Sequence, residues 1–345
     1  MANKRMKALV LERTMQIEKE PLKPTALNVP KPKENEVLVK VHTCAVCRTD
    51  LHIVEGELPV HKRDIVPGHQ VVGEVVAIGR AVKNHKVGEM LGVTWINSAC
   101  GKCEFCKKGM ENLCENMKFT GYDENGGYAE YIVVADDYAF KIPKGFDEAH
   151  ASPLFCAGII GYRAFKLSAV KKGDKLAMFG FGGSAHIIIQ VARYLRIETL
   201  VFTRDEKHQK EAKSLGAMWV GKPDSKPHYL FDSAIIFAPD GRLVPYALKN
   251  LKRGGNVTIA DIYMSRMPEL DYGLLYEERS VKSVANYTRD DAMEFLDLAA
   301  NTHKDTDTGI HVGRGEQRDA SLEAEQDRRF RSNKDKQVIA RHGFH

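Results

Sequence analysis

Four cysteines in one short stretch, Cys100, Cys103, Cys106 and Cys114, limit this chain more than any other feature. Their spacing, C-x2-C-x2-C-x7-C, gathers four thiols in a loop too short to build an apolar core of its own. Zinc takes four soft ligands at tetrahedral corners about 2.3 Å away, and thiolates on a tight loop supply them. Four thiolates around Zn2+ leave a net negative charge, which Lys102, Lys107 and Lys108 are close enough in sequence to offset. The alternatives are a reduced, metal-free loop and an iron–sulfur cluster. The spacing is similar to some iron–sulfur runs, but no proline follows Cys114. A zinc with four protein ligands has no position left for substrate, so this site is expected to hold a lobe together and not to react.

Composition sets the frame for the other three cysteines. The chain has 345 residues, 43% hydrophobic and 28% charged, as expected of a globular protein with two domains of ordinary size. No apolar run approaches the ~20 residues that span a bilayer. The N-terminal stretch lacks a long apolar core and a small-residue cleavage site, so a cytoplasmic location and no membrane partner are expected. Net charge is only +5, with both signs interleaved, and no localised basic patch points to nucleic acid. In such a chain, clustered cysteines point to metal and not to disulfides.

Cys47, His69 and Cys156 form a second candidate set. Two thiolates and one imidazole leave a tetrahedral zinc one open position, for water or a substrate oxygen. Taken singly, a cysteine is usually a small buried hydrophobe, and a histidine usually has no special role. Context adds weight. His69 follows Pro67-Gly68 at the mouth of a strand, and Cys156 lies where the sequence changes character, a place that binding sites favour. Cys44 is read as a packed thiol.

That change of character divides the chain. Residues 6–150 are β-rich, with Glu36–Val41, Val71–Ile78 and Tyr128–Val134 between Gly and Pro punctuation, which predicts a barrel-like domain of short strands. After Pro153, helix and strand patterns alternate. Helices are expected over Ile159–Ser168, His186–Leu195, Glu206–Leu215 and Leu243–Leu251. Strands are expected over Lys175–Phe179, Thr199–Thr203, Ala234–Phe237, Val257–Ala260 and Val281–Ala285. Such alternation predicts a doubly wound parallel sheet. No internal repeat is present.

Between the first strand and helix of that sheet lies Gly180-x-Gly182-Gly183-x-Ala185. The glycines permit a tight turn and close approach of a pyrophosphate, whose charge the helix N-terminus favours. An ordinary βα turn is the alternative, but the strand–turn–helix context supports a dinucleotide site. NAD sites commonly carry Asp or Glu about 20 residues past the glycines, to hold the ribose hydroxyls. This chain has Thr203 and then Arg204, a cation suited to a 2′-phosphate, with Lys207 and His208 near it. NADP(H) is therefore favoured. Asp205 is a candidate substitute acid, which keeps NAD(H) open.

Taken jointly, several segments resemble the zinc-dependent alcohol dehydrogenases of the medium-chain dehydrogenase/reductase superfamily. They are Cys47-Arg48-Thr49-Asp50-Leu51-His52, Pro67-Gly68-His69, the four-cysteine lobe, Gly126-Gly127-Tyr128-Ala129-Glu130-Tyr131, Cys156-Ala157-Gly158 and the Gly180 fingerprint. The resemblance covers roughly residues 5–302. It implies a GroES-like β-barrel catalytic domain over residues 1–155, with the zinc lobe near residues 95–116, and a Rossmann coenzyme domain over residues 156–300. It implies two zinc ions per chain, a catalytic one on Cys47, His69 and Cys156 and a structural one on the four-cysteine lobe. It also implies that Thr49 binds the alcohol hydroxyl, His52 passes the proton towards solvent, Arg48 contacts the coenzyme pyrophosphate and Trp95 narrows the substrate pocket. The implied activity is hydride transfer between a small alcohol or aldehyde and a nicotinamide coenzyme, in a homo-oligomer (dimer or tetramer). Alternatives are an NAD-linked polyol or secondary-alcohol dehydrogenase, and a coenzyme-binding protein whose activity is impaired by its tail.

Two departures stand out. Where the family usually has Glu after the ligand histidine, this chain has Gln70, which removes a negative charge beside the metal. The tail, residues 301–345, lacks the strand, helix and closing strand of the family. Codons for Thr302 to Glu323 read one nucleotide later permit a strand followed by a capped amphipathic helix with the family's acidic-Ala-Asn pattern. We hypothesise a one-nucleotide frameshift near His303, against the alternative of a divergent tail. Sequencing across this locus tests the hypothesis: a shifted frame is expected, and an unambiguous read in the present frame contradicts an error in the recorded sequence.

Overall fold

The structure, a computed structural model, describes residues 4–302. Residues 303–345, where the frameshift is hypothesised, lie outside the described residues. Packing divides the described chain into two compact units. One comprises residues 4–156 together with Thr288–Asp297; the other comprises Ala157–Tyr287 together with residues 298–302. The sequence assigns the whole of residues 156–300 to the second unit, whereas Thr288–Asp297 returns to the first.

The first unit starts with an antiparallel hairpin, β1 (Arg5–Leu11) and β2 (Leu22–Asn28). Its main sheet uses β3 (Glu36–Ala45), β4 (Gln70–Ile78), β5 (Met90–Val93), β8 (Tyr131–Ala135) and β9 (Ala139–Lys141). These pair antiparallel in the order β8-β3-β4-β5-β9, so the expected strands are present and β3 runs four residues longer. Short α1 (Arg48–Glu55) follows β3 directly. The four-cysteine lobe is framed by the two-stranded pair β6 (Ile96–Ser98) and β7 (Lys118–Phe119), with the single turn α2 (Glu104–Lys107) between them. One more turn, α3 (Glu148–Ala151), precedes Cys156.

The second unit opens with α4 (Ala157–Ser168) and then alternates: β10 (Lys175–Phe179), α5 (Gly183–Tyr194), β11 (Glu198–Phe202), α6 (Glu206–Ser214), β12 (Trp219–Gly221), β13 (Phe231–Ile236), α7 (Leu243–Lys249), β14 (Leu251–Ile259) and β15 (Ser280–Ser283). Every strand pair is parallel, in the order β12-β11-β10-β13-β14-β15. In sequence rank that is 3-2-1-4-5-6, the dinucleotide-binding arrangement, with its switch point between β10 and β13. Helices cover both faces, which is why Leu176, Ala177, Met178 and Phe179 are all fully buried and not alternately exposed. Phe179 and Phe202 stack at 4.2 Å with Phe231 edge-on, and each ring contributes about 2–3 kcal/mol by burial.

Helix α8 (Arg289–Thr302) is an element the sequence reading does not name. Its apolar positions Ala292, Phe295, Leu296 and Ala299 recur at helical spacing and are buried. Its first residue is tied to the lobe: the Arg289 N–H donates to Glu111 Oε1 at 2.6 Å, and Nε of the same residue lies 3.3 Å from that oxygen.

Candidate metal centres and coenzyme cradle

Cys47 ends an extended segment and caps α1, with φ −117° and ψ 154°. Its N–H donates to Asp50 Oδ2 at 2.8 Å, three residues on, which fixes the start of the helix. His69 stands at the head of β4, reached through Gly68 at φ +95°. No other residue suits position 68, because a Cβ there would meet the Tyr128 ring at 2.7 Å and Cys44 Sγ at 2.9 Å. Cys156 arrives from the turn after α3. Ser152 Oγ ties that turn to the sheet, accepting from Ala45 N at 3.0 Å and donating to the Gln70 carbonyl.

These three pieces bring Cys47, His69 and Cys156 together, all ligand atoms within 4.8 Å of one another. Cys47 Sγ lies 3.9 Å from Cys156 Sγ, and His69 Nε2 lies 3.3 Å from Cys156 Sγ. A tetrahedral zinc would need ligand–ligand edges of about 3.6–3.8 Å, so the donor set fits that ion. Cys100, Cys103, Cys106 and Cys114 meet the same 4.8 Å condition, with Cys100 Sγ 3.9 Å from Cys106 Sγ.

Charge in the trio is arranged for a cation. Asp50 is 3% exposed, and its Oδ1 accepts from His69 Nδ1 at 3.0 Å and from Gly68 N at 3.2 Å. Tyr128 Oη donates to Oδ2 at 3.1 Å. With Nδ1–H held by Asp50, Nε2 is the nitrogen that faces the thiols, and a metal binding there displaces its proton. Burial alone would lower the His69 pKa, but Asp50 and Cys47 outweigh it and push it up to about 10. The hydrogen bond with Cys156 holds the Cys47 thiol well below its usual range, against burial. Cys44 behaves oppositely: burial pushes its thiol well up, and it stays outside the ligand set. In the lobe, the Lys102 and Cys103 N–H groups draw Cys100 down to about 6, whereas burial raises Cys106 to about 12.

The remaining expected residues are placed as follows. Arg48 is exposed and Thr49 half-buried on the first turn of α1. His52 lies one turn on and is 2% exposed, with Nδ1 paired to Glu57. Gly56, at φ +77°, ends the helix and turns the chain back so that Glu57 N–H reaches the His52 carbonyl at 2.9 Å. Trp95 is buried, its ring edge-on to His69 at 5.0 Å and stacked on Phe119 at 4.9 Å. Gln70 is 3% exposed, and its Oε1 has no hydrogen-bond partner among the described residues.

Comparison with known proteins identifies the family. Residues 33–144 match the family model described as the alcohol dehydrogenase GroES-like domain. A relative named Probable alcohol dehydrogenase AdhA, from Mycobacterium tuberculosis, is 44% identical over 294 residues, 84% of this chain and 85% of its own. The chain belongs to the zinc-dependent alcohol dehydrogenases of the medium-chain dehydrogenase/reductase superfamily. Its chemistry is alcohol–carbonyl oxidoreduction. Among solved structures, CAD from Helicobacter pylori complexed with NADP(H) has a TM-score of 0.76 at 25% identity, covering 88% of this chain and 93% of that one. Acetophenone reductase from Geotrichum candidum in complex with NAD has a TM-score of 0.80 at 25% identity, covering 95% of each chain.

In this family member the fingerprint turn fits a dinucleotide. Gly180 has φ +91°, and a Cβ there would crowd Ala238 Cβ at 3.0 Å. Gly182 caps α5 without a side-chain bond, so the first N–H groups of that helix are not spent on a capping side chain. A Cβ on Gly183 would meet only Ala157, at 3.7 Å, and Ala185 is fully buried. Thr203 is buried and Arg204 exposed at the end of β11. Asp205, the candidate substitute acid, caps α6 instead: Oδ1 accepts from Lys207 N at 2.7 Å and His208 N at 3.3 Å.

Sequence reasoning leaves Asp50, Tyr128, Ser152, Glu57 and Glu111 without roles. Only Asp50 carries a local signal, its place three residues after the capping Cys47. Asp50→Asn is expected to weaken metal binding at the trio ~10–100-fold, because Nδ2 takes the place of one of the two oxygens and cannot accept the bond from His69 or from Cys47 that falls to it. Competition with a chromophoric chelator checks this. One zinc of two should become labile while the lobe's zinc stays, and an unchanged pair would contradict the role given to Asp50.

Proposed function

We propose that this chain is a zinc-dependent alcohol dehydrogenase or aldehyde reductase that prefers NADP(H) and carries one catalytic and one structural zinc. The observation that supports it most is the convergence of Cys47, His69 and Cys156 behind an Asp50-oriented imidazole. Three protein donors leave a tetrahedral ion one position for a substrate oxygen. When bound, zinc supplies Lewis-acid activation of that oxygen, and the nicotinamide supplies hydride transfer.

The chain's own residues do the rest. Thr49, two residues past Cys47, binds the alcohol hydroxyl and takes its proton onward. His52 is the next acceptor, one turn along α1 on the same face. Its Nδ1 is paired with Glu57, whose side chain is 44% exposed, so a proton reaching the buried imidazole has a carboxylate open to water as its next stop. Trp95, Phe119 and Tyr122 stack into an aromatic wall beside His69 that keeps water from the reacting centre. Gly180, Gly182, Gly183 and Ala185 allow the coenzyme pyrophosphate to approach the N-terminus of α5.

NADP(H) preference rests on Thr203 and Arg204, and on Asp205 being engaged in capping α6. The two solved relatives, one with NADP(H) and one with NAD, are consistent with a fold that takes either coenzyme, so these local residues make the choice. A homo-oligomer working in the cytoplasm accompanies this reading.

Metal analysis with turnover on an alcohol and aldehyde panel, run with both coenzymes, tests the proposal. Two zinc ions per chain and faster turnover with NADP(H) are expected. Thr203→Asp with Arg204→Ala should move the preference towards NAD roughly tenfold to a hundredfold, the worth of a charge-assisted contact of ~1.5–3 kcal/mol. No shift would remove the coenzyme argument, and zinc and coenzyme binding without turnover would favour an impaired, coenzyme-binding role.

A further inference from the structure

The loops that leave β11, β10 and β13 at their carboxyl ends lie side by side. Gly180 N donates to the Phe202 carbonyl at 2.8 Å, and Phe237 N donates to the Phe179 carbonyl at 2.8 Å. Arg204 leaves the first of these strand ends and Asp240 the last. With strands about 4.8 Å apart, the two ends are separated by roughly 10 Å, which a long guanidinium side chain can span. Asp240 is not idle. Arg242 donates to it with Nε at 2.9 Å, with a terminal nitrogen at 2.8 Å and with its backbone N–H at 3.0 Å. The carboxyl is held below its usual range by Arg242 first, and Arg204 contributes to the same shift, so Arg204 is within electrostatic reach of Asp240. Arg204 itself makes no hydrogen bond among the described residues.

The Asp240–Arg242 pair is too wet to matter much for stability, since the Arg242 side chain is 72% exposed. Its consequence is in the balance of charge. A carboxylate engaged by a bidentate fork has both oxygens committed and its charge largely compensated. Without that fork, Asp240 would be a free anion beside Arg204 at the end of the sheet where a coenzyme ribose is expected. It would pair with Arg204 and repel an approaching phosphate.

We propose that Arg242 is a specificity-determining residue: by occupying Asp240 with two of its three guanidinium nitrogens, it leaves Arg204 uncommitted for the 2′-phosphate of NADP(H). This rests on the reading of Arg204 given above. Arg242 acts through Asp240 and need not touch the coenzyme. Other charged groups follow Arg204 in sequence: Asp205 is engaged by the α6 cap, and Glu206 and Lys207 are exposed, with opposite charges, in the first turn of α6.

Equilibrium binding of NADPH and NADH to the full chain, by calorimetry, tests this apart from turnover. Arg242→Ala should weaken NADPH about three- to tenfold and leave NADH within about twofold, the size of one partly screened charge contact. Asp240→Asn with Arg242→Ala should restore the NADPH affinity, because the anion that Arg242 masks is then gone. Arg242→Lys, a point charge without the fork, should fall between wild type and Arg242→Ala. Equal weakening of both coenzymes by Arg242→Ala would overturn the proposal. Failure of the double variant to recover would also overturn it, because Arg242 would then be touching the phosphate itself. Arg204→Ala separates the two levels. If it leaves the NADPH preference intact, the underlying reading of Arg204 fails. If it abolishes the preference while Arg242→Ala matches wild type, the inference about Arg242 alone fails.

Discussion

One buried carboxylate organises the catalytic end of this chain. Asp50 is 3% exposed and takes hydrogen bonds from Cys47 N, Gly68 N, His69 Nδ1 and Tyr128 Oη. Burying a carboxylate costs several kcal/mol unless donors replace the lost water, and four donors from three parts of the chain do so here. The same bonds decide geometry. They start α1 at Cys47, hold the Gly68 turn against the ring of Tyr128 and fix which imidazole nitrogen faces the thiolates. Losing one partner would leave the charge buried and undercompensated, so these bonds stand or fall together.

Around that centre, two further contacts carry position over long sequence distance. Ser152 links the Cys156 turn to the carbonyl of Gln70 and the N–H of Ala45, so the third ligand is registered against the strands that bear the other two. Glu111, inside the four-cysteine lobe, binds the start of α8 through Arg289. A zinc that shapes the lobe therefore also shapes the seat for Arg289. A metal held by the four thiolates would then have a mechanical role within its own unit.

How much of this could be read in the sequence depended on distance along the chain. The four-cysteine lobe is local, so spacing alone exposes it. The parallel sheet is legible because each strand and helix carries its own period, and the strand expected over Lys175–Phe179 coincides with β10. Parts of the chain without a period were missed. Three-residue β12 is too short for a pattern. Tyr128 reaches Asp50 across 78 positions, and Glu111 reaches Arg289 across 178. No local rule signals such pairs. Helix α8 is a different case: its apolar spacing was present, but it lies next to the stretch where the pattern breaks down. At the coenzyme end, Asp205 read as a candidate ribose ligand because sequence shows the acid but not its engagement in capping α6.

On this reading two different metal centres coexist, one closed by sulfur and one left open by an Asp50-oriented trio. X-ray absorption at the zinc edge of the metal-loaded chain measures this most directly. Averaged over a four-sulfur site and a site of two sulfurs with one nitrogen and an exchangeable oxygen, the account predicts about three sulfurs and one light atom per zinc. A shell of four sulfurs and no light atom would mean that only the lobe binds zinc, and would contradict the catalytic site described here.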